Sequence, residues 1–130
     1  MKNEIKIWHK GCCHCQAITF EVRAPADVEL TACNCSVCNM TGFLHLIVEA
    51  EDFRLLTGAD NISTYTFNTH TAKHTFCKTC GIKPFYTPRS HPDGISVNFR
   101  CVDQTGFETI ISENFDGQNW ENNVDALRNK

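Results

Sequence analysis

The sequence predicts a mainly β domain, and three observations carry that prediction. Apolar residues recur at every second position through several segments, the period of a half-buried strand. Glycine and proline cut these segments at short intervals, as turns do. Nine cysteines fall into C-x-C and C-x-x-C groups, spacings that suit metal-clamped turns between strands.

The elements follow in order. In residues 4–10, Ile5 and Ile7 alternate with Lys6 and Trp8, which reads as a strand broken at Gly11. Cys12-Cys13-His14-Cys15 follows as a turn. Residues 16–24 place Ile18, Phe20 and Val22 on one face of a second strand, ended by Pro25-Ala26-Asp27. Leu30 to Cys33 leads into Cys33-Asn34-Cys35-Ser36-Val37-Cys38. After Gly42, the run Phe43 to Val48 is a nearly continuous apolar strand. Phe53 to Leu56 and Ser63 to Phe67 are two more, separated by Gly58-Ala59-Asp60-Asn61. Lys73-His74-Thr75-Phe76 runs into the knuckle Cys77-Lys78-Thr79-Cys80-Gly81. Phe85 to Thr87 is a short strand between Pro84 and Pro88, and Ile95 to Val102 is the last. Helical spacing occurs only in the tail, at Trp120, Val124 and Leu127, and predicts one short C-terminal helix.

The 130 residues suit a single domain spanning 1–130. The formal charge of −3 and the pI near 6 offer no basic field for nucleic acid. No apolar run reaches the roughly 18 residues of a membrane span, and the first residues carry no signal-peptide apolar region. The expected setting is the reducing cytoplasm, where such cysteine groups bind metal rather than form disulfides.

Two thiolates spaced C-x-x-C can grip one metal ion. Cys13 and Cys15 together with Cys77 and Cys80 make four thiolates, the closed set of a structural zinc site. Gly81 belongs to the knuckle because a residue there must tolerate positive φ. Cys33, Cys35 and Cys38 make three thiolates, which leaves a coordination position open. A water, a soft thiol or a fourth protein ligand can fill it, and His45, Cys101 and Cys12 are the available protein candidates. His45 alternates with Phe43 and Ile47, so it either faces that pocket as a proton shuttle or is packed and hydrogen-bonded. Cys12 reads otherwise as an exposed spare, His70 and His91 as solvated loop residues. Arg89 is a carboxylate-binding candidate or a solvent-exposed cation.

Gly11-Cys12-Cys13-His14-Cys15, Cys33-Asn34-Cys35-Ser36-Val37-Cys38 and Phe76-Cys77-Lys78-Thr79-Cys80-Gly81 together resemble the glutathione-dependent formaldehyde-activating enzyme family. Within it, Tyr65 to His70, Phe85 to Ser90 and Phe115-Asp116-Gly117 with Trp120 are similar to centromere protein V and its small relatives. The resemblance implies a β-tent fold of two or more antiparallel sheets joined around a structural zinc held by Cys13, Cys15, Cys77 and Cys80. It implies a catalytic zinc on Cys33, Cys35 and Cys38, hence two zincs per chain, with glutathione's thiol at the open position. The implied reaction joins glutathione and formaldehyde into S-(hydroxymethyl)glutathione, or reverses it, formally a carbon–sulfur lyase activity. Two positions depart from the family pattern: Cys12 stands where a small residue such as Ser is usual, and Gln16 where Gly is usual. The competing reading is a non-catalytic zinc-stabilised module that binds a protein partner.

Overall fold

In the computed structural model, residues 5–33, 36–67 and 70–115 are described. Ten strands run β1 Lys6–Cys12, β2 Thr19–Pro25, β3 Asp27–Cys33, β4 Leu44–Glu49, β5 Phe53–Thr57, β6 Ile62–Tyr65, β7 His74–Cys77, β8 Phe85–Tyr86, β9 Gly94–Asn98 and β10 Thr109–Phe115. One helix, α1 Ser36–Thr41, lies between β3 and β4. They form a three-stranded sheet in the order β1-β2-β5, a five-stranded sheet β10-β3-β4-β9-β8 and a two-stranded sheet β6-β7. The mainly β class with several antiparallel sheets is therefore as the sequence predicts. Among the described residues, no helix is long and apolar enough to cross a membrane.

The alternation read from the sequence decides the faces. In β2, Phe20, Val22 and Ala24 are buried, while Thr19, Glu21 and Arg23 are half-exposed. The core forms where this face meets Leu30, Leu46, Val97 and Phe99 from the five-stranded sheet and its flank. Phe20 also packs against Phe53 and Phe85, with ring centroids 5.6 and 5.7 Å away. That ring lies over Gly11, its partner across the β1–β2 pair. A Cβ at Gly11 would come within 2.3 Å of it, so any other residue there would force the buried ring to shift.

Three features differ from the sequence expectation. Helical spacing is expected only in the tail, yet Ser36–Thr41 forms α1, followed by Gly42 at φ +64. The region 95–102 is a strand only to Asn98, after which Phe99–Cys101 turns as a 3₁₀ helix with the Asn98 side chain accepting from the Arg100 amide. β10 was not expected at all. It pairs with β3 in parallel register, Thr109 opposite Asp27 through Phe115 opposite Cys33, as the edge of its sheet. Ile110 and Ile111 are adjacent and both nearly half-exposed, so no alternation marks the strand. The predicted C-terminal helix at Trp120 to Leu127 lies outside the described residues.

One buried charge ties the first sheet together. Asp52 is 3% exposed and accepts from Arg23 Nε at 2.8 Å and Lys6 Nζ at 3.0 Å. Burial works against its charge, but the Arg23 and Lys6 cations outweigh burial and hold the carboxyl below its ordinary value. The stabilisation is therefore complete above the unfolded carboxyl range and is lost as pH falls through the lower folded value, below about 4. Asp52→Asn should cost about 1–3 kcal/mol at neutral pH, and its stability should vary less with pH on the acid side than the parent's. Chemical denaturation between neutral and acid pH measures both.

Candidate metal centre

The polypeptide brings Cys13, Cys15, Cys77 and Cys80 together across a long stretch of sequence, with all four Sγ atoms within 4.8 Å of one another. Cys13 Sγ is 3.7 Å from Cys15 Sγ, which is 3.6 Å from Cys77 Sγ. A tetrahedral ion with metal–sulfur bonds of about 2.3 Å needs sulfurs about 3.8 Å apart, so the cluster fits zinc.

Two local turns create it. Past β1, the Gln16 amide donates to the Cys13 carbonyl at 3.1 Å, and the Cys13 amide to the Ile18 carbonyl at 3.0 Å. This turn requires left-handed backbone at Gln16, φ +67. The knuckle follows β7: Gly81, at φ +77, donates to the Cys77 carbonyl at 2.9 Å, and Cys77 donates to the Ile82 carbonyl at 2.9 Å. The turns also aim donors at sulfur. The Ile18 amide points at Cys13 Sγ (3.4 Å), those of Thr79 and Cys80 at Cys77 Sγ (3.4 and 3.5 Å). Asn61 Nδ2 adds a bond of 3.2 Å to Cys77 Sγ.

These donors favour thiolate. The amide of Cys80, then that of Thr79, lower the Cys77 thiol to about 6 against the opposing effect of desolvation. Cys80 is also lowered: burial opposes its charge, but the amides of Cys15 and Ile82 prevail. Cys15 is raised to about 11. The amide of Ala17 pulls it down, but desolvation and the neighbouring cysteines together prevail. Four thiols in contact cannot all ionise without a cation among them, and a bound dication supplies it.

Of the second group, Cys33 ends β3 half-buried and Cys38 lies on α1 at 3% exposure, while Cys35 is outside the described residues. The Phe43 amide donates to the Cys38 carbonyl at 3.2 Å, so the turn of Cys38 leads directly into β4.

His45, on β4, is 4% exposed. Its Nδ1 lies 2.8 Å from Ser96 Oγ and 3.4 Å from the Tyr86 hydroxyl, and its ring is 4.6 Å from that of Phe43. It is thus packed and hydrogen-bonded beside the residue that follows the Cys38 turn. Sequence reasoning missed its neighbours. Lys83 is 7% exposed, with Nζ 2.6 Å from His74 Nδ1 and 3.9 and 4.9 Å from the centroids of Tyr86 and Phe43. His74 stacks on Tyr86 at 4.9 Å and 12°. The one signal was a lysine inside the otherwise apolar run Ile82 to Tyr86.

Other candidates lie elsewhere. Cys12 is half-buried rather than exposed, and Cys101 is half-buried too. Both lie near the four-cysteine cluster: burial raises the Cys101 thiol to about 11, with Cys12, Cys13 and Cys80 adding to it. His70 is exposed, with Nδ1 2.8 Å from Thr66 Oγ1. His91 is half-buried rather than fully solvated and bonds Ser90 Oγ at 2.8 Å, and Arg89 is likewise half-buried.

Residues 8–117 match the glutathione-dependent formaldehyde-activating enzyme family, and this stretch includes every cysteine discussed above. The chain belongs to that family. The match is to the family as a whole and does not single out its centromere protein V branch. The chain is also similar to the crystal structure of a Rhodobacter sphaeroides protein, with 34% identity, 78% of this chain and 98% of that chain covered, and a TM-score of 0.67.

The turn at Gln16 yields a direct test. A non-glycine residue in left-handed backbone costs about 1–2 kcal/mol, partly offset by the extra freedom glycine has when unfolded. Gln16→Gly should therefore raise stability by about 0.5–1 kcal/mol, a rise of a few degrees in Tm, with metal content unchanged. Differential scanning calorimetry alongside elemental analysis checks it.

Proposed function

We propose that this protein is a zinc-dependent carbon–sulfur lyase, S-(hydroxymethyl)glutathione synthase-like, acting on the adduct of glutathione or a related thiol with formaldehyde or another small carbonyl compound. The observation that carries this reading is the way the cysteines divide. Four of them close on one another in a family member, Cys33 and Cys38 stand outside that group, and with Cys35 they are the candidates for a second site. In this reading Cys13, Cys15, Cys77 and Cys80 hold a structural zinc within one domain spanning the chain, which works in the cytoplasm.

Cys33, Cys35 and Cys38 would hold the second zinc, which supplies an open position where a soft sulfur binds as thiolate. The remaining steps fall to the protein. The thiolate sulfur attacks the carbonyl carbon, the C=O electron pair moves to oxygen, and that oxygen takes a proton to become the hydroxyl. His45 is the proton-handling candidate, because Ser96 and Tyr86 fix its ring through Nδ1. Lys83, fixed by His74 and two aromatic faces, places a cationic side chain on the same wall, which suits an oxygen gaining negative charge.

Elemental analysis of protein purified without added metal should approach two zincs per chain, and a value near one would remove the second site. Millimolar glutathione should raise the Tm of the loaded protein by mass action. No shift would count against glutathione as the thiol and leave the non-catalytic binding module.

The two sites should also fail differently. Cys80→Ser breaks the tie between distant turns, and apo forms of small zinc domains are often unfolded, so this variant should be insoluble or melt far below the parent. Cys38→Ser should lose the second zinc and thiol binding yet keep the first zinc and a cooperative transition. Zinc content and circular dichroism of both variants decide. Equal unfolding would make the second site structural and sink the enzymatic reading.

A further inference from the structure

We propose that Cys12 and Cys101 are a disulfide-forming pair, a site of thiol–disulfide exchange with small-molecule disulfides that is separate from the four-cysteine cluster. Strand register is the basis. Gly11 and Val102 face each other in an antiparallel bridge, secured by the Asp103 amide donating to the Lys10 carbonyl at 2.8 Å. Cys12 follows Gly11 and Cys101 precedes Val102, so the two cysteines flank this bridge on the same side.

Val102 is buried in the core, and a Cβ on Gly11 would strike Phe20, so this pair points inward. Their neighbours Cys12, at the end of β1, and Cys101, at the end of the 3₁₀ turn, are both half-buried. Residues facing each other at such a bridge have Cα atoms about 4.5–5.5 Å apart, close to the roughly 4.4–6.8 Å that a disulfide spans, and the two cysteines lie one residue beyond the facing pair. Both thiols line one open cleft of about 770 Å³, so a small molecule can reach them. Lys10 and Arg100 line the same cleft and suit a disulfide that carries carboxylates, with Asp103 the acidic residue among them.

The chemistry balances without a metal. One protein thiolate attacks a sulfur of the disulfide RSSR, forming a mixed disulfide and expelling RS⁻. The second protein thiolate attacks the protein sulfur of that intermediate and expels the other RS⁻. The two protons given up by Cys12 and Cys101 end on the two RSH products. The protein dithiol is oxidised and the small disulfide is reduced. Cys13 keeps its place in the cluster, where it is buried against Cys15.

The test uses the zinc-loaded full chain and oxidised glutathione. After exposure, remaining thiols are blocked with N-ethylmaleimide under denaturing conditions, and the protein is digested without reduction and read by mass spectrometry. The expected product is a peptide pair joined through Cys12 and Cys101, with maleimide on Cys13 and Cys15, zinc content of the folded sample unchanged, and the link removed by dithiothreitol. In Cys12→Ser, Cys101 should stop at a single glutathione adduct or stay free. The proposal is overturned if Cys12 and Cys101 of the parent end as maleimide or glutathione adducts at a dose that oxidises dithiothreitol. Linkage of Cys101 to Cys13 or Cys80 with zinc release overturns it as well. None of these outcomes depends on the proposed lyase reaction.

Discussion

The contact between the Cys13–Cys15 turn and the Cys77–Cys80 knuckle is the constraint on which the rest of this structure depends. The first turn extends β1 and so belongs to the three-stranded sheet, and the second extends β7 of the two-stranded sheet. Between them the backbone passes through β3, α1 and β4, which carry the second cysteine group and His45. A long loop is closed by sulfur atoms that repel one another once ionised. The amides of Ile18, Thr79 and Cys80 and the Asn61 side chain soften that repulsion, and a bound cation converts it into attraction.

The hydrophobic core sits beside this cluster rather than around it. Cys13 and Cys77 are themselves core residues, in contact with the same cluster of side chains as Phe20, Val97 and Val102. Packing and sulfur chemistry thus stabilise the same geometry from two sides. The core explains why Gly11 and Phe20 are matched across a strand pair, and the match keeps the β1 strand end where Cys13 must be.

A second theme is polar side chains buried next to aromatic faces. His45, His74, Lys83, Ser96 and Tyr86 are each less than a tenth exposed and adjoin one another through hydrogen bonds and ring contacts. A core built only for stability has little use for a lysine there, because desolvating an ammonium is costly unless its surroundings replace water. The aromatic faces of Tyr86 and Phe43 and the His74 nitrogen do so in part. Such clusters concentrate at functional sites, and this one adjoins the turn that carries Cys38.

The sequence by itself determined the mainly β class, the faces of β2, and the grouping of Cys13 and Cys15 with Cys77 and Cys80. These follow from local rules: alternation marks which side of a strand is wet, and C-x-x-C with glycine marks a knuckle whatever surrounds it. The resemblance to the family marked Gln16 as unusual, and the left-handed backbone there gives the reason. Only the tertiary structure decided the rest. The parallel pairing of β10 with β3 joins segments far apart in sequence, and adjacent Ile110 and Ile111 conceal its alternation. Lys83 carries no local signal of its burial until the segment before β8 is packed and His74 arrives from β7. Cys12 reads as a spare thiol and Cys101 as a possible metal ligand until a bridge between Gly11 and Val102 brings both to one cleft. In each case the deciding interaction lies between residues distant along the chain, and no local pattern records which distant segments meet.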